Sequence, residues 1–174
     1  MKKYIGLVLV ALSGCILTVN AQQSFSYKNP LLPTELRVND LLGRMTLEEK
    51  IAQIRHLHSW DVFDGQILNQ EKLDKMCGGI GYGFFEGFPL TAASCRKTFR
   101  EIQTYMVEKT RLGIPGFPVA ESLHGVVHEG TTIYPQNIAM GSTFNPELAY
   151  EKTKHIAGEL NTMGVKQVLA PCID

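Results

Sequence analysis

The chain has 174 residues, of which 44% are hydrophobic and 20% are charged, a composition typical of a folded domain rather than a disordered segment. Its 17 basic and 17 acidic residues give a net charge of zero, and the sequence contains no long run of like charge. Nucleic acids and other phosphate-rich partners are therefore disfavoured.

The first 21 residues are typical of a secretory signal peptide. Two lysines precede an uncharged apolar stretch, and Ala21 supplies a small residue ahead of polar Gln22. The apolar stretch is shorter than the roughly 20 residues that a membrane-spanning helix needs. We therefore expect cleavage after Ala21, release into the periplasm and no stable membrane insertion. The alternative is a lipoprotein anchored through Cys15, because residues 12–15 resemble a lipobox.

Residues 22–33 are polar, contain two prolines and are predicted as a linker to the domain over residues 34–174. Apolar residues at helical spacing predict a first helix between residues 36 and 45. The Thr46-Leu47-Glu48-Glu49 segment has the form of a capping box, which predicts a second helix there. The apolar face of this second helix is predicted to consist of Leu47, Ile51, Ile54 and Leu57.

Strands and helices are predicted to alternate through the rest of the chain. Apolar runs predict buried strands over residues 80–84, 117–120 and 165–170. Helical periodicity predicts a helix over 91–111, with Thr91 as its cap and a core face of Cys95, Phe99, Ile102 and Met106. A further helix is predicted over 146–163, with Asn145 as its N-cap and Gly164 as its C-cap. This alternation is typical of a parallel α/β sheet or barrel. A (β/α)₈ barrel needs about 250 residues, so we expect an α/β fold that is the N-terminal part of such a barrel, incomplete in this chain.

The segment 118–125 contains a carboxylate and an imidazole just beyond a predicted strand end, where α/β folds bind ligands. Glu121 could accept hydrogen bonds from neighbouring sugar hydroxyls. Alternatively, it caps the following turn or pairs with Arg111, and the residues alone leave these alternatives open. His124 and His128 are four residues apart, but Glu129 follows the second histidine rather than the first, so the metalloprotease pattern is absent and structural histidines are favoured.

Neither the cysteines nor the remaining histidines predict a metal site. After signal cleavage the three remaining cysteines have no short spacing, so we predict neither a disulfide framework nor a zinc ligand set. His56 and His58 have the spacing of a His-x-His metal pair, but their predicted position is the end of a helix rather than of a strand. Trp60 could stack on a sugar, although its position near a helix end favours the core.

Four segments, 37–54, 111–126, 131–148 and 169–174, together resemble in order and spacing the N-terminal barrel half of glycoside hydrolase family 3. The resemblance implies an exo-acting β-glycosidase of β-glucosidase type that works by a retaining double displacement. It places the nucleophile and the acid/base carboxylates beyond Asp174. Glu121 matches the family's acidic residue that binds the terminal sugar, with His124 as its supporting neighbour, and Asn145 matches a position where some members have Asp.

The leading hypothesis is a periplasmic β-glucosidase acting on plant-type oligosaccharides, with a β-xylosidase of the same family as the alternative. A β-N-acetylhexosaminidase is a second enzyme class on the same barrel, but its motifs are less similar. The non-enzyme hypothesis is a truncated, inactive chain that at most binds sugar weakly. The resemblance implies neither a metal nor an organic cofactor, and we expect the 174 residues alone to be inactive and prone to aggregation.

Overall fold

The computed structural model describes residues 26–87 and 91–172 of the chain. The predicted signal peptide, the lipobox with Cys15 and the proposed cleavage site therefore lie outside the described residues. The chain divides into two compact units, residues 1–43 and 44–174. Among the helices of the described residues, none has the length and apolar character needed to cross a membrane.

The first unit contains a 3-10 turn, Ser26–Lys28, and nearly all of helix α1, Thr34–Arg44. The amide of Tyr27 donates a hydrogen bond of 3.0 Å to Oδ2 of Asp40, and Nε of Arg37 donates one of 2.9 Å to the Tyr27 carbonyl. These bonds attach the turn to one side of the helix. The first predicted helix is confirmed.

The second unit contains the other helices and strands of the described residues. In chain order these are α2 (Leu47–Ala52), β1 (His56–His58), α3 (Ser59–Val62), β2 (Phe63–Asp64), β3 (Ile67–Leu68), α4 (Gln70–Cys77), β4 (Phe84–Glu86), α5 (Ala92–Lys109), β5 (Phe117–Glu121), α6 (Asn137–Gly141), α7 (Pro146–Met163) and β6 (Gln167–Leu169).

Four of the strands form one parallel sheet in the order β1-β4-β5-β6. Parallel neighbours need a crossover connection, and each crossover contains at least one helix: α3 and α4 before β4, α5 before β5, and α6 and α7 before β6. The short strands β2 and β3 form a separate antiparallel hairpin. The predicted parallel α/β fold is confirmed.

The helix ends agree with the sequence prediction because capping is a local interaction. The Thr46 and Glu49 capping box is present, and Thr91 caps α5 in the same way. Oδ1 of Asn145 accepts a 3.0 Å hydrogen bond from the Leu148 amide, so Asn145 is the predicted N-cap of α7. Gly164 ends this helix with a left-handed conformation.

The predicted extent and burial of the second helix are wrong. Helix α2 ends at Ala52, and Leu57, which was assigned to its apolar face, is fully buried in β1 instead. The other three residues of that predicted face are 47–76% exposed. The helix stops because the chain turns over residues 53–55 and then enters the sheet, where hydrogen bonds to β4 replace those of the helix.

Two predicted strands are displaced or less buried than expected. The strand predicted over residues 80–84 is β4, which begins only at Phe84, because Gly78 ends α4 in a left-handed conformation and residues 79–83 form the turn that follows. Strand β6 is shorter than the predicted 165–170. Val168 and Leu169 are 38% and 40% exposed, since β6 pairs with β5 on one side and has no strand on its other side among the described residues.

The core of the second unit lies between the sheet and its helices. All four residues predicted for the core face of α5 are buried: Cys95, Phe99, Ile102 and Met106. Phe99 packs edge to face against Phe85 of β4 at a centroid separation of 5.6 Å. This packing fixes the position of the strands relative to the helices, and hence the position of the carboxyl ends of the strands.

Candidate functional site

A cleft of about 480 Å³ lies at the carboxyl edge of the parallel sheet. All four strands contribute their last residue to its lining: His58, Glu86, Glu121 and Leu169. Trp60, directly after β1, and His128, in the loop after β5, also line it. In parallel α/β proteins this edge is where ligands bind, because loops of variable sequence meet there above a rigid sheet.

Glu121 is the last residue of β5, and its side chain is exposed in the cleft. Its backbone is held in register with Leu169 of β6. No hydrogen bond or ion pair reaches its carboxylate within residues 26–87 and 91–172. The carboxylate is therefore presented to the cleft by a strand and has no partner among the described residues.

The alternative in which Glu121 pairs with Arg111 is wrong, because Arg111 binds Glu49. Nε of Arg111 donates a 2.7 Å hydrogen bond to Oε1 of Glu49, and Nη2 donates to Oε2 of the same carboxylate. The hydrogen bonds from Arg111, with a smaller contribution from the Thr46 amide, lower the pKa of Glu49 against the opposing effect of burial. This pair joins α2 to the segment that precedes β5.

His124 lies three residues after β5 and is partly buried, but it is not among the residues that line the cleft. Its carbonyl accepts a 2.8 Å hydrogen bond from the Tyr134 amide, and its Nδ1 is buried without a hydrogen-bond partner in the described residues. Gly125 follows with φ of 107°, and a Cβ there would lie 2.3 Å from the Thr132 carbonyl oxygen. The loop after Glu121 is therefore closely packed.

Of the two histidines in this loop, His128 is the one that lines the cleft, although the sequence favours a structural role for it. Burial lowers its pKa, so the neutral imidazole is favoured at neutral pH. Its amide donates hydrogen bonds to the carbonyl of Val126 and to Oγ1 of Thr131, which close the loop locally. His124 and His128 lie in an irregular loop and not on one helix face.

The placement of His56 and His58 at a helix end is wrong: both lie on β1 and flank buried Leu57. Glu86 lies on the neighbouring strand β4. Its Oε1 is 3.1 Å from Nδ1 of His56 and 3.3 Å from Nδ1 of His58. The residues outside the masked segments contain no group of three or more His, Cys, Asp or Glu side chains that could hold a metal ion. At the strand ends one carboxylate thus faces two imidazoles, and neither of their Nδ1 atoms makes a hydrogen bond within the described residues.

The sequence favours a core position for Trp60, and this prediction is wrong, because 69% of the Trp60 surface is exposed. Its indole stacks on the His58 ring at a centroid separation of 4.3 Å and an angle of 8°. Neither Glu86 nor this stacking arrangement was found from the sequence. The sequence signal that could have revealed them is the His-Leu-His alternation of residues 56–58. Its period of two predicts a half-buried strand rather than a helix end.

The fold and the cleft define an α/β protein whose parallel strands present polar side chains at their carboxyl edge, as in part of a (β/α)₈ barrel. Residues 46–174 match the model of the glycosyl hydrolase family 3 N-terminal domain. The chain therefore belongs to glycosyl hydrolase family 3.

Individual relatives agree with this assignment. A putative beta-xylosidase of Formosa agariphila is 31% identical over 157 residues, which are 87% of this chain and 21% of that protein. The periplasmic beta-glucosidase of Salmonella typhimurium is 26% identical over 99% of this chain and 21% of that protein. The chain thus spans about a fifth of the length of these curated relatives.

A solved structure, described as a novel β-glucosidase from Erythrobacter marinus, has a TM-score of 0.71 to this chain. It is 27% identical, and the match covers 87% of this chain and 20% of that one. The similarity confirms the N-terminal part of an α/β barrel as the fold.

Proposed function

We propose that the complete protein containing this chain is an exo-acting β-glycosidase that removes single terminal sugars from the non-reducing ends of plant-type β-linked oligosaccharides. The observation that carries the proposal is the exposed carboxylate of Glu121 at the end of β5, which has no partner in the part of the chain that the structure describes. An ionised carboxylate accepts hydrogen bonds from adjacent sugar hydroxyls, each contributing roughly 1.5 to 3 kcal/mol. The names of the relatives from Formosa and Salmonella support a glycosidase.

The proposed reaction is a retaining double displacement. It needs two carboxyl groups about 5 to 5.5 Å apart, one as nucleophile and one as acid/base. We assign neither role to a residue of this chain, and we propose that both groups come from other segments of the complete protein. The 174 residues alone are then expected to hydrolyse no glycoside. Both steps use protein carboxylates and water, so the mechanism requires no metal and no organic cofactor.

His124 is proposed to support Glu121. The hydrogen bond from the Tyr134 amide to the His124 carbonyl and the close approach of Gly125 to Thr132 hold the loop that follows β5. Because His124 is three residues from the carboxylate, this packing limits the movement of the end of β5.

A β-xylosidase is the second candidate, and the length of the Glu121 side chain favours it. A glutamate extends one methylene further into the cleft than an aspartate, and this methylene crowds the space that a hexose hydroxymethyl would occupy. A pentose lacks that group. The relative that is 31% identical is named as a putative beta-xylosidase, which supports the same choice.

Kinetics of the complete protein on nitrophenyl β-xyloside and β-glucoside test both candidates. Loss of two charged hydrogen bonds in Glu121→Ala is expected to lower kcat/KM by about 10² to 10⁴ on either substrate. Glu108→Ala, which removes an exposed carboxylate on α5 outside the cleft, is the matched control. A change of only a few-fold in Glu121→Ala would contradict the sugar-binding role. An unchanged xyloside-to-glucoside ratio in Glu121→Asp would remove the steric argument for pentosides.

We also propose export, with Gln22 as the mature N-terminus. The charged start, the apolar stretch and Ala21 support it, and the Salmonella relative is named as periplasmic. Mass spectrometry of the secreted or periplasmic protein is expected to find a peptide that begins at Gln22. A lipid-modified peptide beginning at Cys15 would instead establish the anchored form.

A further inference from the structure

Trp60 presents a large exposed aromatic surface inside the candidate site. It is the one tryptophan of the sequence, 69% of its surface is exposed, and it lines the same cleft as Glu121. Burying an aromatic side chain is strongly favourable, and Trp side chains are usually well buried. An indole left open at the carboxyl edge of a parallel sheet therefore needs a physical explanation.

The indole is held in place from one side. It stacks nearly parallel on His58, with centroids 4.3 Å apart, and Oε1 of Glu86 lies 3.3 Å from Nδ1 of that histidine. The hydroxyl of Ser59 donates to the Gly87 carbonyl, which ties the residue before Trp60 to the end of β4. Since His58 covers one face of the indole, the exposed surface includes the opposite face.

A flat aromatic face beside a carboxylate is suited to a sugar ring. The C–H face of a pyranose packs on the indole, and hydroxyls at the ring edge donate to a carboxylate such as Glu86, which keeps 21% of its side chain exposed. The alternative is a purely structural role, in which Trp60 shields His58 from solvent. That role would not require the tryptophan to lie in the cleft or to keep most of its surface open.

The sheet order separates Trp60 from Glu121. Strand β4 lies between β1, which leads into Trp60, and β5, which ends at Glu121. Strands two positions apart are separated by about 10 Å, more than the width of one sugar ring. The two side chains are therefore suited to neighbouring rings of one oligosaccharide rather than to the same ring.

We propose that Trp60, together with Glu86, forms a second sugar subsite, which binds the ring next to the terminal sugar held by Glu121. This inference rests on the proposed glycosidase function and narrows its substrate to β-linked disaccharides and longer oligosaccharides. The subsite is supplied by the ends of β1 and β4, and the terminal-sugar subsite is supplied by the end of β5.

The test compares two substrates of the complete protein that share the terminal sugar and differ in the leaving group, which is a second sugar ring in one and fluoride in the other. Xylobiose has a second sugar, whereas β-xylosyl fluoride has the same terminal sugar and a fluoride leaving group; cellobiose and β-glucosyl fluoride form the corresponding hexose pair. For each variant the readout is kcat/KM on the disaccharide divided by kcat/KM on the fluoride. Trp60→Ala is expected to lower this ratio by about tenfold, through loss of the stacking surface.

Two further variants define the contact. Trp60→Phe keeps an aromatic face and is expected to recover most of the ratio, and Glu86→Gln is expected to lower it less than Trp60→Ala does. Tyr150→Ala is the matched control, since Tyr150 is 67% exposed on α7 and does not line the cleft. Its ratio is expected to equal that of the wild type.

The outcomes distinguish a failure of the second subsite from a failure of the proposed glycosidase function. A ratio in Trp60→Ala that equals the wild-type ratio overturns the second subsite, whether both rates fall together or neither falls, and leaves the glycosidase function standing. Absence of hydrolysis of all four substrates by the wild-type protein overturns the proposed function and the subsite with it.

Discussion

Removal of the Arg111 guanidinium is expected to loosen helix α2. Glu49 is nearly buried, with 6% of its side chain exposed, and its carboxylate accepts two hydrogen bonds from Arg111 and one of 2.9 Å from the Thr46 amide. Nη2 of Arg111 also donates a 2.8 Å bond to the Arg44 carbonyl. Arg111→Ala would leave a nearly buried carboxylate with one of its three hydrogen bonds.

The size of the effect follows from these contacts. Two charged hydrogen bonds contribute roughly 1.5 to 3 kcal/mol each when fully shielded, but 52% of the Arg111 side chain is exposed, and water can replace part of the interaction. We therefore expect a loss of about 2 to 3 kcal/mol in the free energy of local opening. That loss corresponds to an increase of about 30- to 150-fold in the population of the open state.

Hydrogen exchange followed by mass spectrometry of the complete protein measures this opening in peptides that cover α2. Amides of α2 are expected to exchange faster in Arg111→Ala by the factor given above. The matched control is Lys97→Ala, because Lys97 and Glu101 form an exposed pair at 3.9 Å whose loss is expected to change the local stability by at most about 0.5 kcal/mol. Equal exchange of α2 in the wild type and Arg111→Ala would refute the reasoning.

The same pair predicts a pH dependence. The hydrogen bonds from Arg111 lower the pKa of Glu49 in the folded protein. Their contribution to stability is therefore fully present above the unfolded-state carboxyl pKa of about 4.3 and is lost as the pH falls through the lower folded value. The difference in Tm between the wild type and Arg111→Ala is expected to be largest at neutral pH and to narrow at about pH 3. A constant difference over this range would contradict the assignment.

Two further predictions concern close packing and buried thiols. A Cβ on Gly83 would lie 1.9 Å from the Gln53 carbonyl oxygen, so Gly83→Ala is expected to lower the free energy of unfolding by about 3 kcal/mol or more. Gly158 lies in an open position on α7, so Gly158→Ala is expected to raise it by roughly 0.5 to 1 kcal/mol. Thermal unfolding of the two variants measures both effects. Burial raises the pKa of Cys77 to about 12 and that of Cys95 to about 11. Iodoacetamide at pH 8 is therefore expected to modify these two thiols in urea but not in the folded protein. Equal modification rates in the folded and the urea-unfolded protein would contradict this.

Features that depend on neighbours in the chain could be predicted from the sequence. The caps at Thr46, Thr91 and Asn145 each involve residues at most three positions apart, and all three are present. The apolar face of α5 extends over 18 residues, long enough for its helical period to be clear. The sequence indicates Glu121 because this charged residue directly follows the apolar run 117–120. These signals are local, and tertiary structure does not override them.

Features that depend on distant partners could not be predicted in the same way. Glu49 and Arg111 are 62 residues apart, and neither residue type indicates its partner. Strand β1 has three residues, fewer than one period of a helix, so the apolar pattern across residues 47–57 fits a longer helix equally well. What makes residues 56–58 a strand is the edge of β4, to which they bond in parallel register.

The error at His56 and His58 also explains why the sequence did not identify Glu86 and why it favoured the core for Trp60. A site in a parallel α/β protein is composed of residues that directly follow consecutive strands, so its members are found only when every strand has been identified. Once residues 56–58 are a strand, the same rule that selected Glu121 selects His58 and Trp60 at the end of β1 and Glu86 at the end of β4. Assigning one three-residue segment to the sheet thus extends the candidate site from a single carboxylate to a cleft that the ends of all four strands line.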